Sequence, residues 1–271
     1  MITQTEFAAE AQVLSAEANV LNGLHSYFVH QAPRLYQSCR LFHLLEKPLG
    51  DVLEIGPFFG YTPFLLRKNA SSYTVLEGDD PIVYPLKPLY RQRDIGAHFV
   101  DLFEMFGPTR SATHSLDFPN ASFDSILCWE TMEHFSFNPV KFVRELLRVL
   151  KPGGRVYITV PNKASFQSIW AHISGRFEAA GINAYFDCED YRCNGKKAFY
   201  GFHWREYSSG ELAHLFAKAG FKLHQYGTFA AFQAHSRVSP LRRLVRGANQ
   251  VLAKALPRYG THVYLVAEKP K

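Results

Sequence analysis

Val52-Leu-Glu-Ile-Gly-Pro-Phe-Phe-Gly-Tyr61 is the stretch that decides the fold. Asp51 to Ile55 is a short apolar run that stops at Gly56, the pattern of a buried strand. A helix follows over roughly 62–68, with Pro63 suited to its first turn. Glu54 and Gly56 therefore sit at the carboxyl end of a first strand, where doubly wound sheets bind ligands. Glycine admits close backbone approach, and the helix after Gly60 offers free N–H groups to a polar ligand. Taken alone, the same residues also fit an ordinary strand-to-helix turn.

The rest of the chain continues the alternation. Strands are expected at 73–77, 98–100, 125–128 and 155–160, and helix 139–150 has Asn138 as cap and Pro139 at its first position. Lys151-Pro-Gly-Gly154 reads as the turn that ends this helix. Ser208 and Glu211 fit a capping box for a helix stopping at Gly220, and two strands, 221–226 and 261–267, close the pattern. Strands alternating with helices argue for a doubly wound α/β sheet. Ahead of it, residues 1–50 read as a helical cap, with one helix over 32–45 opened by Pro33; the domain proper is 51–271. Residues 163–207 are an irregular, aromatic insertion after the fifth strand.

The 271 residues are 47% hydrophobic and 20% charged, which excludes a disordered chain. No apolar run reaches the length of a membrane span, and 1–12 lacks the basic and apolar regions of a signal peptide. Four cysteines make no disulfide scaffold, so a cytoplasmic chain is expected. The net charge of +6 is local: Arg237, Arg242, Arg243, Arg246, Lys254 and Arg258 lie in a stretch without acids, and the remainder is neutral. That distribution counts against a nucleic-acid partner. Helical periodicity over 238–257 instead suggests a basic amphipathic helix, packed on the sheet or touching the inner face of an anionic membrane.

Glu77 ends the second strand, 17 residues after Gly60, where an acid can hold two ribose hydroxyls. With it the chain resembles the class I S-adenosylmethionine-dependent methyltransferases. The resemblance rests on VLEIGPFFGYTPFLL (52–66), YTVLEGDD (73–80), FPNASFDSILCWETMEHF (118–135) and VRELLRVLKPGGRVYITVPN (143–162), with a weaker fifth block at 203–221. It implies a Rossmann-like, mostly parallel seven-stranded sheet with S-adenosylmethionine as methyl donor. It further implies that Glu54, Gly56 and Gly60 shape the methionine loop, that Glu77 takes the ribose, and that backbone near Cys128 and Trp129 lines the donor site. Two departures stand out. Phe58 occupies a position where the family usually has glycine, and the residue meeting the adenine amino group falls at Ala112 or Thr113, leaving Asp101 and Asp117 as substitutes.

A hydroxyl acceptor must lose a proton, and histidine is the usual base near neutral pH. The resemblance places His134 and His203 near the transferred methyl group, although a histidine satisfying a local turn has the same sequence signature. Arg205 could meet an acceptor phosphate or carboxylate. Cys188 and Cys193 lack the close pairing of zinc sites, so no metal is expected. The branch of the resemblance points to O-methylation of a small-molecule, glycan or lipid-linked acceptor. The alternatives are a non-catalytic donor-binding or regulatory protein, for which Phe58 argues, and an RNA methyltransferase, against which the charge distribution argues.

Overall fold

The structure is a computed structural model that describes residues 5–9, 25–58, 61–81, 83–108, 112–173, 192–193, 196–197, 203–231, 247, 251 and 255–271. Gly60, most of the basic stretch 238–257 and residues 174–191 of the insertion lie outside the described residues. Seven strands form one sheet: β1 Gly50–Ile55, β2 Ala70–Gly78, β3 Gly96–Val100, β4 Phe123–Trp129, β5 Leu150–Pro161, β6 Lys222–Phe229 and β7 His262–Glu268. Their order is β3-β2-β1-β4-β5-β7-β6, parallel throughout except for β7, which runs antiparallel to both β5 and β6. The doubly wound expectation holds, with strand order reversing between β1 and β4.

Helices cover both faces: α1 His25–Leu41, α2 Tyr61–Leu66, α3 Lys87–Gln92, α4 Leu102–Phe106, α5 Val140–Val149, α6 Phe166–Ile173 and α7 Ser209–Lys218. Burial on both faces explains why the central strands read as unbroken apolar runs. Successive residues feed opposite cores. Leu53, Ile55, Ile126 and Ile158 pack with Phe142 and Leu146 of α5 and Phe216 of α7. Val52, Leu127 and Tyr157 pack with Tyr36 and Cys39 of α1, Leu66 of α2 and Tyr90 of α3. The N-terminal segment, including Phe7, thus shares the second core with the sheet.

Three local expectations are corrected. Pro33 does not open a helix; it lies inside α1. Proline forfeits one backbone bond there, and burial of the neighbouring Ala32, Tyr36 and Cys39 offsets the loss. Lys151-Pro-Gly-Gly154 is not a turn outside the sheet but the first part of β5, with Gly153 at φ 80°. Its lysine bridges Asp51 and Asp124 at 2.7 Å each, tying three strands together at the end of the sheet remote from the site. The helix expected from Pro139 with Asn138 as cap begins one residue later, at Val140 with Pro139 in the cap position, and Asn138 Oδ1 accepts the Val140 N–H at 3.0 Å from just outside it. The capping box is also present: Ser208 Oγ accepts from Glu211 N–H while Glu211 accepts from Ser208 N–H. No helix among the described residues is long and apolar enough to cross a membrane.

Candidate active site

One cavity of about 480 Å³ opens at the carboxyl ends of the strands, over the point where strand order reverses. Its floor comes from Gly56 after β1, Glu77 and Gly78 of β2, Asp101 after β3, Glu130 after β4, Pro161 of β5 and His262 of β7. The volume suits a small-molecule ligand.

The end nearest β2 is mostly apolar, with Leu76, Val100, Leu102 and Phe103 around a buried acid. That acid, Glu77, is 3% exposed. Its Oε1 accepts the Gly78 N–H at 2.8 Å, whereas its Oε2 is buried with no hydrogen-bond partner. Burial pushes the carboxyl up to about 7, against the pull of the Gly78 and Phe58 backbone N–H groups. A buried carboxylate oxygen without a donor is costly, and a ribose diol would supply the donors. Asp101 also lines this end while its Oδ1 caps α4 through Phe103 and Glu104 N–H.

The loop between β1 and α2 is held by backbone torsion. Gly56 has φ +62°, and its N–H donates to the Leu76 carbonyl at 2.8 Å. A Cβ at Gly56 would lie 2.7 Å from Thr131 Cγ2, so backbone and Thr131 share a space that only glycine leaves open. Phe58 has φ 48°, in the left-handed region, at the position where the family resemblance expects glycine. The substitution keeps the turn at a cost of about 1–2 kcal/mol, and Phe58 contributes to the cavity wall. Gly56→Ala should lower stability by about 2 kcal/mol or more, from the unfavourable φ and the clash together. An unchanged denaturant midpoint would show that the loop relaxes freely.

Glu54 does not reach the large cavity. It is buried, accepts from Tyr73 OH at 2.5 Å and from the Thr62 hydroxyl, and lies by a smaller hollow shared with Trp129. Burial raises its carboxyl to about 8 despite these bonds, with Glu77 pushing further in the same direction. Its geometry is that of a brace between β2 and α2. Cys128 is fully buried among core side chains, and neither its side chain nor that of Trp129 is part of the large cavity.

The other end is crowded with titratable groups. Glu130 leaves β4 at φ 49°, turning the chain into the 3-10 turn Met132–His134. Its Oε2 pairs with Arg34 Nη1 at 2.7 Å and approaches His262 Nε2 at 3.4 Å. Against burial, which raises it, Arg34 and then His262 hold the Glu130 carboxyl below the usual range. Glu133 is 1% exposed, its Oε2 has no hydrogen-bond partner, and burial followed by the Glu130 charge pushes it well above that range.

His134 and His203, 69 positions apart in sequence, meet edge to face with ring centroids 5.1 Å apart. The Trp204 and Arg205 N–H groups, both donating to the Glu133 carbonyl at 2.8 and 3.2 Å, fix the approach. A bridge between Asn162 and Tyr207 seats the same segment on the end of β5. Both histidines line the cavity. Arg205 does not: it lies over Tyr207 and reaches Glu211 at 3.7 Å. Sequence reading missed Gln31, Arg34 and His262 as cavity residues; spacing i, i+3 on α1 is the one signal that Gln31 and Arg34 share a face.

A family model described as a methyltransferase domain matches residues 28–226. A Mycolicibacterium smegmatis protein named "Probable S-adenosylmethionine-dependent methyltransferase" is 28% identical over 173 residues, 64% of this chain and 52% of its own length. A Mycobacterium tuberculosis protein of the same description is 26% identical over 171 residues, 63% of this chain and 48% of its own. The chain thus spans about half the length of the curated relatives it matches. Among solved structures, a chain from the complex of the Haloferax volcanii Trm112 methyltransferase activator with its methyltransferase partner superposes with TM-score 0.60 at 16% identity, over 96% of this chain and 98% of that one. A Mesorhizobium loti S-adenosylmethionine-dependent methyltransferase gives 0.52 at 15%, over 92% and 99%. At such identities the likeness is one of fold. The matched domain covers well over half the chain; the chain belongs to the class I methyltransferases that use S-adenosylmethionine as methyl donor.

Proposed function

We propose that the chain transfers the methyl group to a hydroxyl oxygen of a small-molecule, glycan or lipid-linked acceptor held at the charged end of the cavity. The observation that carries the reading is one cavity with two chemically different ends, the partnerless Glu77 oxygen at one and the His134–His203 pair at the other. When bound, the donor supplies a methyl carbon on a sulfonium, already activated for displacement. The protein's work is then alignment and handling of the acceptor proton. Glu77 would accept from the ribose hydroxyls, the apolar wall would take the adenine, and Asp101 would accept from the adenine amino group. At the far end the histidine pair activates the acceptor hydroxyl. A lipid-linked acceptor would bring the basic segment 238–257 to a bilayer surface, which flotation with anionic vesicles tests directly.

Two measurements test the core of the reading. Release of S-adenosylhomocysteine with a panel of hydroxylated acceptors reports transfer; calorimetric donor binding without turnover on any acceptor would favour the regulatory alternative. Glu77→Ala should weaken binding of S-adenosylhomocysteine by about 1–3 kcal/mol, roughly 5–150-fold. The pH dependence has a definite sign. The ribose diol donates to the ionised carboxylate, and Glu77 in the free chain titrates at about 7 because of burial. Affinity should therefore rise about tenfold from pH 6 to pH 8, since the binding form grows from about a tenth to about nine-tenths of the population. The rise should vanish in Glu77→Ala. Equal affinity of wild type and folded variant would show that the ribose is held elsewhere.

A further inference from the structure

Glu133, His134 and His203 offer three metal-ligating side chains whose donor atoms all lie within 4.8 Å of one another. They sit at one end of the cavity, on its wall. Glu133 Oε1 and His134 Nε2 are 3.9 Å apart. Ligands about 2.1 Å from a tetrahedral ion stand roughly 3.4 Å apart. The cluster therefore needs to contract by up to about 1.4 Å, and His203, the most exposed of the three, already meets Glu206 Oε1 through Nδ1 at 3.2 Å, which leaves its Nε2 for an ion.

A second, independent observation points to an ion. Glu133 Oε2 is buried with no hydrogen-bond partner on a side chain 1% exposed. Glu130 lies three residues earlier, its Oε1 also buried and without a partner. Glu130 pairs with Arg34 at 2.7 Å, whereas Glu133 Oε1 faces His134 Nε2 at 3.9 Å. The partnerless Glu133 oxygen thus belongs to the group on which two imidazoles converge. Two histidines and a carboxylate with an open cavity beyond them form the donor set of a catalytic zinc centre, three protein ligands leaving positions for water or substrate.

We propose that Glu133, His134 and His203 bind a divalent transition-metal cation of the Zn²⁺ type, whose open coordination position takes the acceptor's hydroxyl oxygen. This rests on the methyl-transfer reading for its role, not for its existence. On the cation the hydroxyl becomes more acidic and gives its proton to water. The freed oxygen pair forms the new bond to the methyl carbon, the carbon–sulfur bond breaks, and its electron pair stays on sulfur. Atoms and charge balance without any oxidant or reductant. The two histidines then serve together as ligands, and neither need carry the proton.

The test scores the ion without an acceptor. The full-length, tag-free chain is equilibrated with Zn²⁺, freed of excess, and assayed for metal content and by calorimetric titration with Zn²⁺. About one bound ion per chain is expected. Affinity should fall at least about 100-fold in His203→Ala and in Glu133→Gln, since even the outer partners of metal ligands are worth about 10–100-fold. His203 is on the surface of the cavity, so its variant should fold and still bind S-adenosylhomocysteine, which is measured alongside. A wild-type chain that binds S-adenosylhomocysteine but takes up neither Zn²⁺ nor Mn²⁺ overturns the proposal. So does Zn²⁺ binding that survives both substitutions. Loss of transfer to every hydroxyl acceptor, with the ion bound through these residues, would instead defeat the methyl-transfer reading and leave the site standing.

Discussion

Replacing His134 or His203 singly by alanine should lower methyl transfer by about 10²–10⁴-fold while S-adenosylhomocysteine binds as before. The separation follows from the cavity's layout, since both rings stand at the end opposite Glu77. The pattern across the two variants carries more than either number. If one histidine is a lone general base, its variant alone falls by the full factor and the other keeps substantial activity. If both are ligands to one ion, the two variants fall together, and the acceptor hydroxyl loses its activation in each. Full turnover of both variants near pH 7 would mean that the acceptor ionises unaided or presents an atom other than oxygen. The assay is single-turnover release of S-adenosylhomocysteine at saturating donor, which removes binding from the comparison.

The sheet was legible because its central strands are buried on both faces, so that Val52–Ile55, Ser125–Cys128 and Val156–Val160 read as apolar runs between glycine and helix signals. The meeting of Gly56 and Glu77 at one end of the cavity has a related reason. Gly56 follows β1 directly and Glu77 is the last residue but one of β2, and a parallel sheet places consecutive strand ends side by side, here with Glu54 opposite Val75 and Ile55 opposite Leu76. The Glu54 side chain accepts from Tyr73 and Thr62, between β2 and α2, and does not line the large cavity.

The charged end was less legible. Arg34, Glu130, His203 and His262 come from four distant segments, and only topology brings them within reach of one another. His134 and His203 were singled out through the family resemblance, but their 5.1 Å contact depends on two backbone hydrogen bonds to the Glu133 carbonyl that no spacing announces. Backbone strain was equally hidden. Phe58 and Glu130 both carry positive φ on the cavity wall, at positions where the sequence shows ordinary side chains. Residues kept in that region by their surroundings are commonly parts of a working site, and here one shapes the donor loop while the other turns the chain into the histidine pair.

Arg34→Met should destabilise the protein by about 3–5 kcal/mol, the usual consequence of stranding one member of a buried ion pair. Arg34 and Glu130 are each only 11% exposed and meet at 2.7 Å, and the bond joins α1 to the end of β4 across the cavity. Methionine keeps most of the side-chain volume, so the loss reports the charge. The pH dependence separates this from mere packing. Because Arg34 and His262 hold the Glu130 carboxyl below its ordinary 4.5, the pair stabilises the wild type above that pH and loses its contribution as the pH falls through the lowered value. In Arg34→Met the carboxyl should titrate higher, take up a proton on acidification and become tolerable as a buried neutral acid. The gap between wild type and variant should therefore be widest near pH 8 and narrow towards pH 4. Adding Glu130→Gln to Arg34→Met should recover more than half of the loss at pH 8, since no buried charge is then left alone. Urea denaturation at the two pH values measures all three proteins. A loss below about 1 kcal/mol would place the pair among solvated surface bridges, and the join between α1 and the sheet would then rest on its apolar contacts, Tyr36 and Cys39 against Val52 and Tyr157.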